Sequence, residues 1–185
     1  ILTTPPATEP VTLAEAKAHL RITHADDDAV ISTLIKTARQ QLETRTGVGF
    51  ITQAWSLFLD DWPETGEIRI PIAPVLDVTD IRVWSDADVS STIDPAHYLE
   101  DRASKPPRIV LRGSRSWVRP GRIANGIEVQ LSVGYGTGPA SVPEPLRQAI
   151  LQLAAHWFAS RGDEAAQGEP LAIAQLIAPY REVRL

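Results

Sequence analysis

Cysteine is absent from the 185 residues. That excludes disulfides and thiolate metal sites, and permits a reducing compartment without proving one. Methionine is absent too, position 1 included, as in a chain that begins after processing or trimming. No apolar run approaches the roughly eighteen residues of a membrane span, and the N-terminus has no signal-peptide pattern, so a soluble protein is expected. Positive charge is in deficit: the net charge is −5, which argues against a general nucleic-acid coat held by counterion release. Apolar residues are not scarce. At 43% they suffice for a real core, and the length suits one domain or one domain with an elaborated insert.

The chain is organised around one helical pattern from Asp26 to Thr46. Val30, Ile31, Leu34, Ile35, Ala38 and Leu42 recur at helical spacing and predict the buried face, with Lys36, Arg39, Gln40, Glu43 and Arg45 opposite. Asp26, Asp27 and Asp28 sit where carboxylates favour a helix start, and Gly47 follows the last periodic residue as a left-handed stop. A second stripe, Leu146, Ile150, Leu153, Trp157 and Phe158, predicts the partner helix within 145–161. The intervening residues read as an insert.

Prolines 5, 6 and 10 predict an extended arm over residues 1–11. Thr12 and Glu15 fit a capping box for a short helix, Leu13–Leu20. Beyond Thr52 the period changes to two. Strand patterns cover 54–59, 67–72 (Ile68, Ile70 and Ile72 on one face), 78–84 and 127–133, with short candidates at 97–100 and 108–112. Residues 139–162 return to helix, with Arg161 and Gly162 as its end. Residues 163–169 read as a polar link, and 171–177 as a short apolar helix broken by Pro179. The predicted class is α+β: a small antiparallel helical bundle, an inserted antiparallel β unit and an extended C-terminal tail. Its parts are 1–51 (arm and first helices), 52–138 (β insert), 139–162 (late helix) and 163–185 (link and docking tail).

Reaction chemistry has few candidates. The cluster at Asp26–Asp28 lacks the glycine and closing glutamate of a calcium loop, and helix-start chemistry accounts for it. His19, His24, His97 and His156 are scattered, without a paired spacing on one helix. Gly134, Gly136 and Gly138 follow a strand, but neither a dinucleotide fingerprint nor a Walker Lys-Ser/Thr is present, and prolines 139, 143 and 145 hold the next helix away. No serine has a Gly-x-Ser-x-Gly setting. No catalytic, cofactor-binding or metal residue is assigned, and no cofactor is expected. One charge feature stands out. Arg102, Lys105, Arg108, Arg112, Arg115, Arg119 and Arg122 follow one another with no acid among them, and Trp117 lies within the stretch. The reading is either a solvated β edge or a surface that meets DNA or an acidic protein.

Several short signatures then fall in a familiar order. They are Leu20-Arg21-Ile22, Asp27-Asp28, Leu34-Ile35, Ala38, Glu43 and Thr46-Gly47, followed by Pro74-Val75 and Gly134-Tyr135. Val142-Pro143, Leu146-Arg147-Gln148-Ala149-Ile150, His156-Trp157, Pro179-Tyr180-Arg181 and Arg184-Leu185 complete the set. The chain so resembles the head–tail connector, or adaptor, family of long-tailed bacteriophages, which has relatives in gene transfer agents. The resemblance implies a non-enzymatic virion component in the particle neck. It would form a homo-oligomeric ring, a dodecamer, between the portal of a DNA-filled head and a tail-side connector or terminator protein. DNA would pass along the axis without sequence-specific binding, and no membrane would be involved. It also implies that the C-terminal segment docks on the portal or an adjacent subunit through Leu176, Ile177, Tyr180, Arg181, Arg184 and Leu185. Two alternatives remain from the residues: a DNA-binding packaging factor of the terminase small-subunit kind, and a carbohydrate-binding or hydrolytic β module with helical flanks.

Overall fold

The computed structural model describes residues 1–112, 117–160 and 170–181. They fold as an α+β protein of two compact units: residues 1–6 with 52–134, and residues 7–51 with the described residues from Tyr135 on.

The helical unit starts with α1, Leu13–Leu20. Thr12 accepts the Glu15 backbone N–H through its hydroxyl, and the Glu15 carboxylate accepts the Thr12 N–H, so the capping box is complete. α2 runs from Asp28 to Thr46 and stops at Gly47, whose φ of 70° is left-handed. The helix therefore begins at Asp28 and not at Asp26. The Asp27 side chain makes no cap hydrogen bond, and the Asp28 carboxylate is drawn to Lys17 Nζ at 2.6 Å. α3 spans Glu144–Ala159, entered through Pro143 and Pro145, and α4 spans Leu171–Ile177, passing into a 3-10 turn at Ala178–Tyr180. α3 packs against α1, α2 and α4. The core contains Ile31, Ile35, Ala38 and Leu42 from α2, and Leu146, Ala149, Ile150 and Leu153 from α3. Ile173 and Ile177 from α4, with Val48, Phe50 and Ile51, belong to the same core.

Two residues depart from the expected faces of α2. Val30 is exposed and Leu34 only half-buried, because the partner helices cover a narrower stripe than the apolar pattern offers. Arg39, expected outside, is only 2% exposed. Its Nε donates to Glu9 at 2.7 Å and its Nη1 to Glu43 at 2.6 Å. Burial alone would make the charge costly, but the Glu9 hydrogen bond and the Glu43 charge outweigh it, and the guanidinium pKa rises. Arg147 on α3 plays a parallel part, donating to the Pro10 carbonyl at 3.0 Å and pairing with Glu15 and Glu144. Two arginines thus hold residues 9–15 onto α2 and α3.

In the β unit, β1 (Leu2–Thr4), β2 (Gln53–Leu59), β4 (Val75–Trp84), β5 (Ser90–Thr92) and β8 (Ile127–Val133) form one antiparallel sheet, ordered β1-β2-β8-β4-β5. β3 (Glu67–Arg69), β6 (Tyr98–Asp101) and β7 (Arg108–Leu111) form a second, ordered β3-β7-β6. β8 is central and alternates strictly, burying Ile127, Val129, Leu131 and Val133. On β4 the buried residues are Val75, Val78, Ile81 and Val83, a spacing that pure alternation would not give. Register breaks after Val75 and Val78 restore it, so that Val75, Val78, Ile81 and Val83 lie opposite Val133, Leu131, Val129 and Ile127. Ile68, Ile70, Ile93, Tyr98 and Ile109 join that same core.

Four strand readings change. The 78–84 strand starts earlier, at Val75. Residues 2–4, expected as part of an extended arm, pair as an edge strand with β2. Residues 90–92 pair with β4 although no apolar pattern marks them. The 67–72 strand ends at Arg69, ahead of Pro71.

Leu153 is 1% exposed, and Val30 is 38% exposed. Leu153→Ala should cost about 2–5 kcal/mol through the cavity it leaves, whereas Val30→Ala should stay within about 0.5 kcal/mol, as surface changes do. Equilibrium denaturation of the two variants checks this; equal losses would mean that the helical core is not the one described.

Candidate functional site

Of the seven basic residues read as a solvated edge or a partner surface, four are engaged within the unit. Arg102, after β6, pairs with Asp77 at 2.9 Å and with Glu100 at 2.5 Å, and also donates to the Leu76 carbonyl. Arg108, on β7, bridges Asp101 at 2.9 Å and Glu67 at 3.1 Å. Hydrogen bonds from Ser104, then that from Arg108, hold the Asp101 pKa down to about 2, so the pair stays ionised across the ordinary pH range. Arg112 donates through Nε to the Tyr98 carbonyl at 2.8 Å. Arg122 lies in a different place, beside the β4–β5 turn. Its Nε donates to Asp88 at 2.6 Å and its guanidinium stands 4.0 Å from the centre of the Trp84 ring. Lys105 and Arg119 are exposed and have no ion-pair partner among the described residues. Arg115 lies outside the described residues.

The acids missing from the stretch itself therefore come from elsewhere in the unit. Residues 52–134 hold nine basic and twelve acidic side chains, so the β unit is net negative despite the basic run. Among the described residues that leaves Arg69, Lys105 and Arg119 as exposed cations whose side chains have no ion-pair or hydrogen-bond partner, scattered over three segments of a net-negative unit.

The 117–126 segment is firmly built. Trp117 stacks on Trp62 with ring centres 4.1 Å apart and planes at 9°, and Trp62 Nε1 donates to the Val118 carbonyl at 2.6 Å. Gly121 N–H donates to the Trp84 carbonyl at 2.8 Å. A Cβ on Gly121 would stand 2.2 Å from the Asp86 backbone nitrogen, so only glycine allows this approach. The segment presents Ile123, which is 98% exposed.

The C-terminal candidates divide. Ile177 is fully buried in its own unit and offers no surface to a partner. Leu176 and Tyr180 are half-buried against the same core, and Arg181 is exposed. Arg184 and Leu185 lie outside the described residues. Leu171, an apolar residue of the same segment that was not among the docking candidates, is 82% exposed on α4. From Pro170 to Tyr180 no residue is charged, a gap in the charge pattern on which no expectation from the sequence rested. Among the described residues no three His, Cys, Asp or Glu side chains gather as a metal site, and no helix is long and apolar enough to cross a membrane.

Comparison with known proteins bears on what these surfaces serve. The family model described as phage gp6-like head-tail connector protein matches residues 10–79 and 121–178. The match leaves out 80–120, which carries six of the seven basic residues. Among solved structures, a chain in the virion of a native gene transfer agent particle superposes with a TM-score of 0.83 at 27% identity, over 100% of this chain and 97% of that one. A chain in the neck of an empty gene transfer agent particle, computed with C6 symmetry, gives 0.83 at 28% over the same shares. One in the neck of a native particle, computed with C12 symmetry, gives 0.81 at 28%, again over 100% and 97%. No curated protein matches the chain.

Two outcomes follow from this geometry. Ile177→Ala should lose about 2–5 kcal/mol, because α4 is part of the core and not a free tail; unchanged thermal unfolding would show that α4 leaves the unit in solution. The free subunit should bind linear DNA more weakly than the ~10⁻⁴ M at which non-specific binders begin. Fluorescence anisotropy at physiological salt measures it, and micromolar binding would restore the packaging-factor alternative.

Proposed function

The chain belongs to the phage gp6-like head-tail connector family, and from that premise we propose that it forms a ring in the neck of a phage or gene transfer agent particle. The ring joins the portal to the tail-side proteins and leaves an axial channel for DNA. The family is one of structural connectors and not of enzymes. The observation that carries the proposal is the likeness over the whole chain, at TM-scores of 0.81–0.83, to chains from gene transfer agent particles, two of them from necks. The C12 symmetry of one such neck supports twelve copies.

The molecule suits the task physically. Both units have dense apolar cores, so a subunit brings its own stability to the ring. Most of the basic residues of the β unit are occupied internally, which favours passage of DNA over gripping it. Docking on the portal is carried in this reading by exposed Arg181 with the half-buried Tyr180 and Leu176 beside it, together with Arg184 and Leu185 beyond the described residues. Aromatic and arginine side chains are frequent anchors at such interfaces, and repetition around a ring lets weak single contacts hold together.

Cells producing particles without this chain should accumulate DNA-filled heads lacking tails. A tagged copy supplied in trans should restore joining and appear at the neck in averaged electron micrographs. Normal tailed particles in its absence would refute the connector role, and empty heads would point instead to packaging.

A further inference from the structure

On a solvent-facing helix the outer side is normally rich in Lys and Glu. The outer side of α2 is not. Between Asp28 and Arg45 its exposed positions include Ala29, Val30, Ser32, Thr33, Thr37, Gln40, Gln41 and Thr44, with Lys36 the one exposed charge. Arg39 is turned inward, and Glu43 is engaged by it and by the Phe50 N–H at 2.9 Å.

The hydroxyls of this face are also occupied. Ser32, Thr33, Thr37 and Thr44 each donate to the carbonyl four residues back, at 2.8–2.9 Å. Their donors are spent inside the helix. Beyond Lys36, only the Gln40 and Gln41 amides remain as polar side-chain groups that need water or a partner, so this face costs less to desolvate than a Lys- and Glu-rich one.

A second face of this kind lies on α4. Pro170–Tyr180 has no charge at all, and Leu171, Ala172, Gln175, Ala178 and Pro179 are exposed on it. Depletion of charge is what separates the centre of an interface from ordinary surface. A closed ring of identical subunits needs two different faces that meet head to tail, and the helical unit has two such faces on two different helices, both packed on α3.

We propose that the outer face of α2 in one copy packs against the outer face of α4, centred on Leu171 and Gln175, in the next copy of this chain. The proposal rests on the ring reading above and specifies its subunit contact. The occupant is a second copy because each face matches the other in lacking charge, and because a ring supplies one of each at every junction. A face that met DNA would instead carry unpaired cations.

The absence of cysteine makes the test clean. Thr37→Cys and Gln175→Cys are combined in one chain, and each is also made alone. Particles assembled in cells producing each variant are treated with a short bis-maleimide. The double variant should give a ladder of covalent multimers, while each single variant stays monomeric. Rings in which the double variant gives no ladder overturn the proposal. Covalent dimers from Thr37→Cys alone overturn it too, since they mean that α2 meets α2. Native mass measurement of the untreated necks reads the ring itself: particles lacking multimers of the chain refute the ring reading, a failure separate from that of the contact. Thr37→Glu supplies the complementary arm. It should leave thermal unfolding of the subunit unchanged and reduce its incorporation into particles by at least tenfold, whereas incorporation at the wild-type level counts against the contact.

Discussion

The helical unit depends on one contact between segments far apart in the chain. The Ile31–Leu42 stripe of α2 and the Leu146–Leu153 stripe of α3 are separated by the whole β unit, yet both sit in one core. Neither helix can bury its face locally, so the entropic cost of closing the intervening chain must be offset at this junction. The burial is dense: Ile31, Leu42, Leu146 and Ile150 are all at 0% exposure. Around it the arginines act as fasteners. Arg39 ties Glu9 to α2 and Arg147 ties Pro10 and Glu15 to α3, so the chain is anchored where it first enters the unit. A buried guanidinium is weak evidence for net stability, but breaking such a pair from one side leaves an uncompensated charge. It therefore specifies one arrangement of the entering segment more than it strengthens the whole.

How much of this was legible in the sequence varied with physical cause. β8 was readable because it buries one face along its whole length, leaving the period of two intact. β4 was readable only in its second half, since two bulges hide the matching of Val75 and Val78 to β8. β1 and β5 were invisible: each is three residues long, exposed and held by edge pairing, which depends on the neighbouring strand and not on their own side chains. Thr12, Glu15 and Gly47 acted as read, because capping chemistry is local.

The faces of α2 were legible only in part. Helical spacing proposes a broad stripe, but the partner decides which edge of it is covered, and Val30 fell outside. Arg39 could not have been placed inward from its own neighbours, because its first carboxylate, Glu9, lies thirty residues earlier. The pairing of the basic run was hidden for the same reason. A stretch without acids looks like a cationic surface until Asp77, Glu67 and Asp88 arrive from elsewhere in the unit to pair with it.

These pairings bear on assembly as well as on folding. Charge that is satisfied within a subunit need not be satisfied between subunits. With Arg39 turned inward and Glu43 engaged by it, the exposed side of α2 keeps Lys36 as its one charge, and the exposed side of α4 has none. Association through such faces loses little to desolvation, so modest apolar contacts suffice when a ring repeats them. Exposed Lys and Glu in the same places would have favoured a dispersed monomer by repulsion and hydration. On α2 the ion pair that holds Glu9 thus also removes a cation from the face through which one subunit would meet the next.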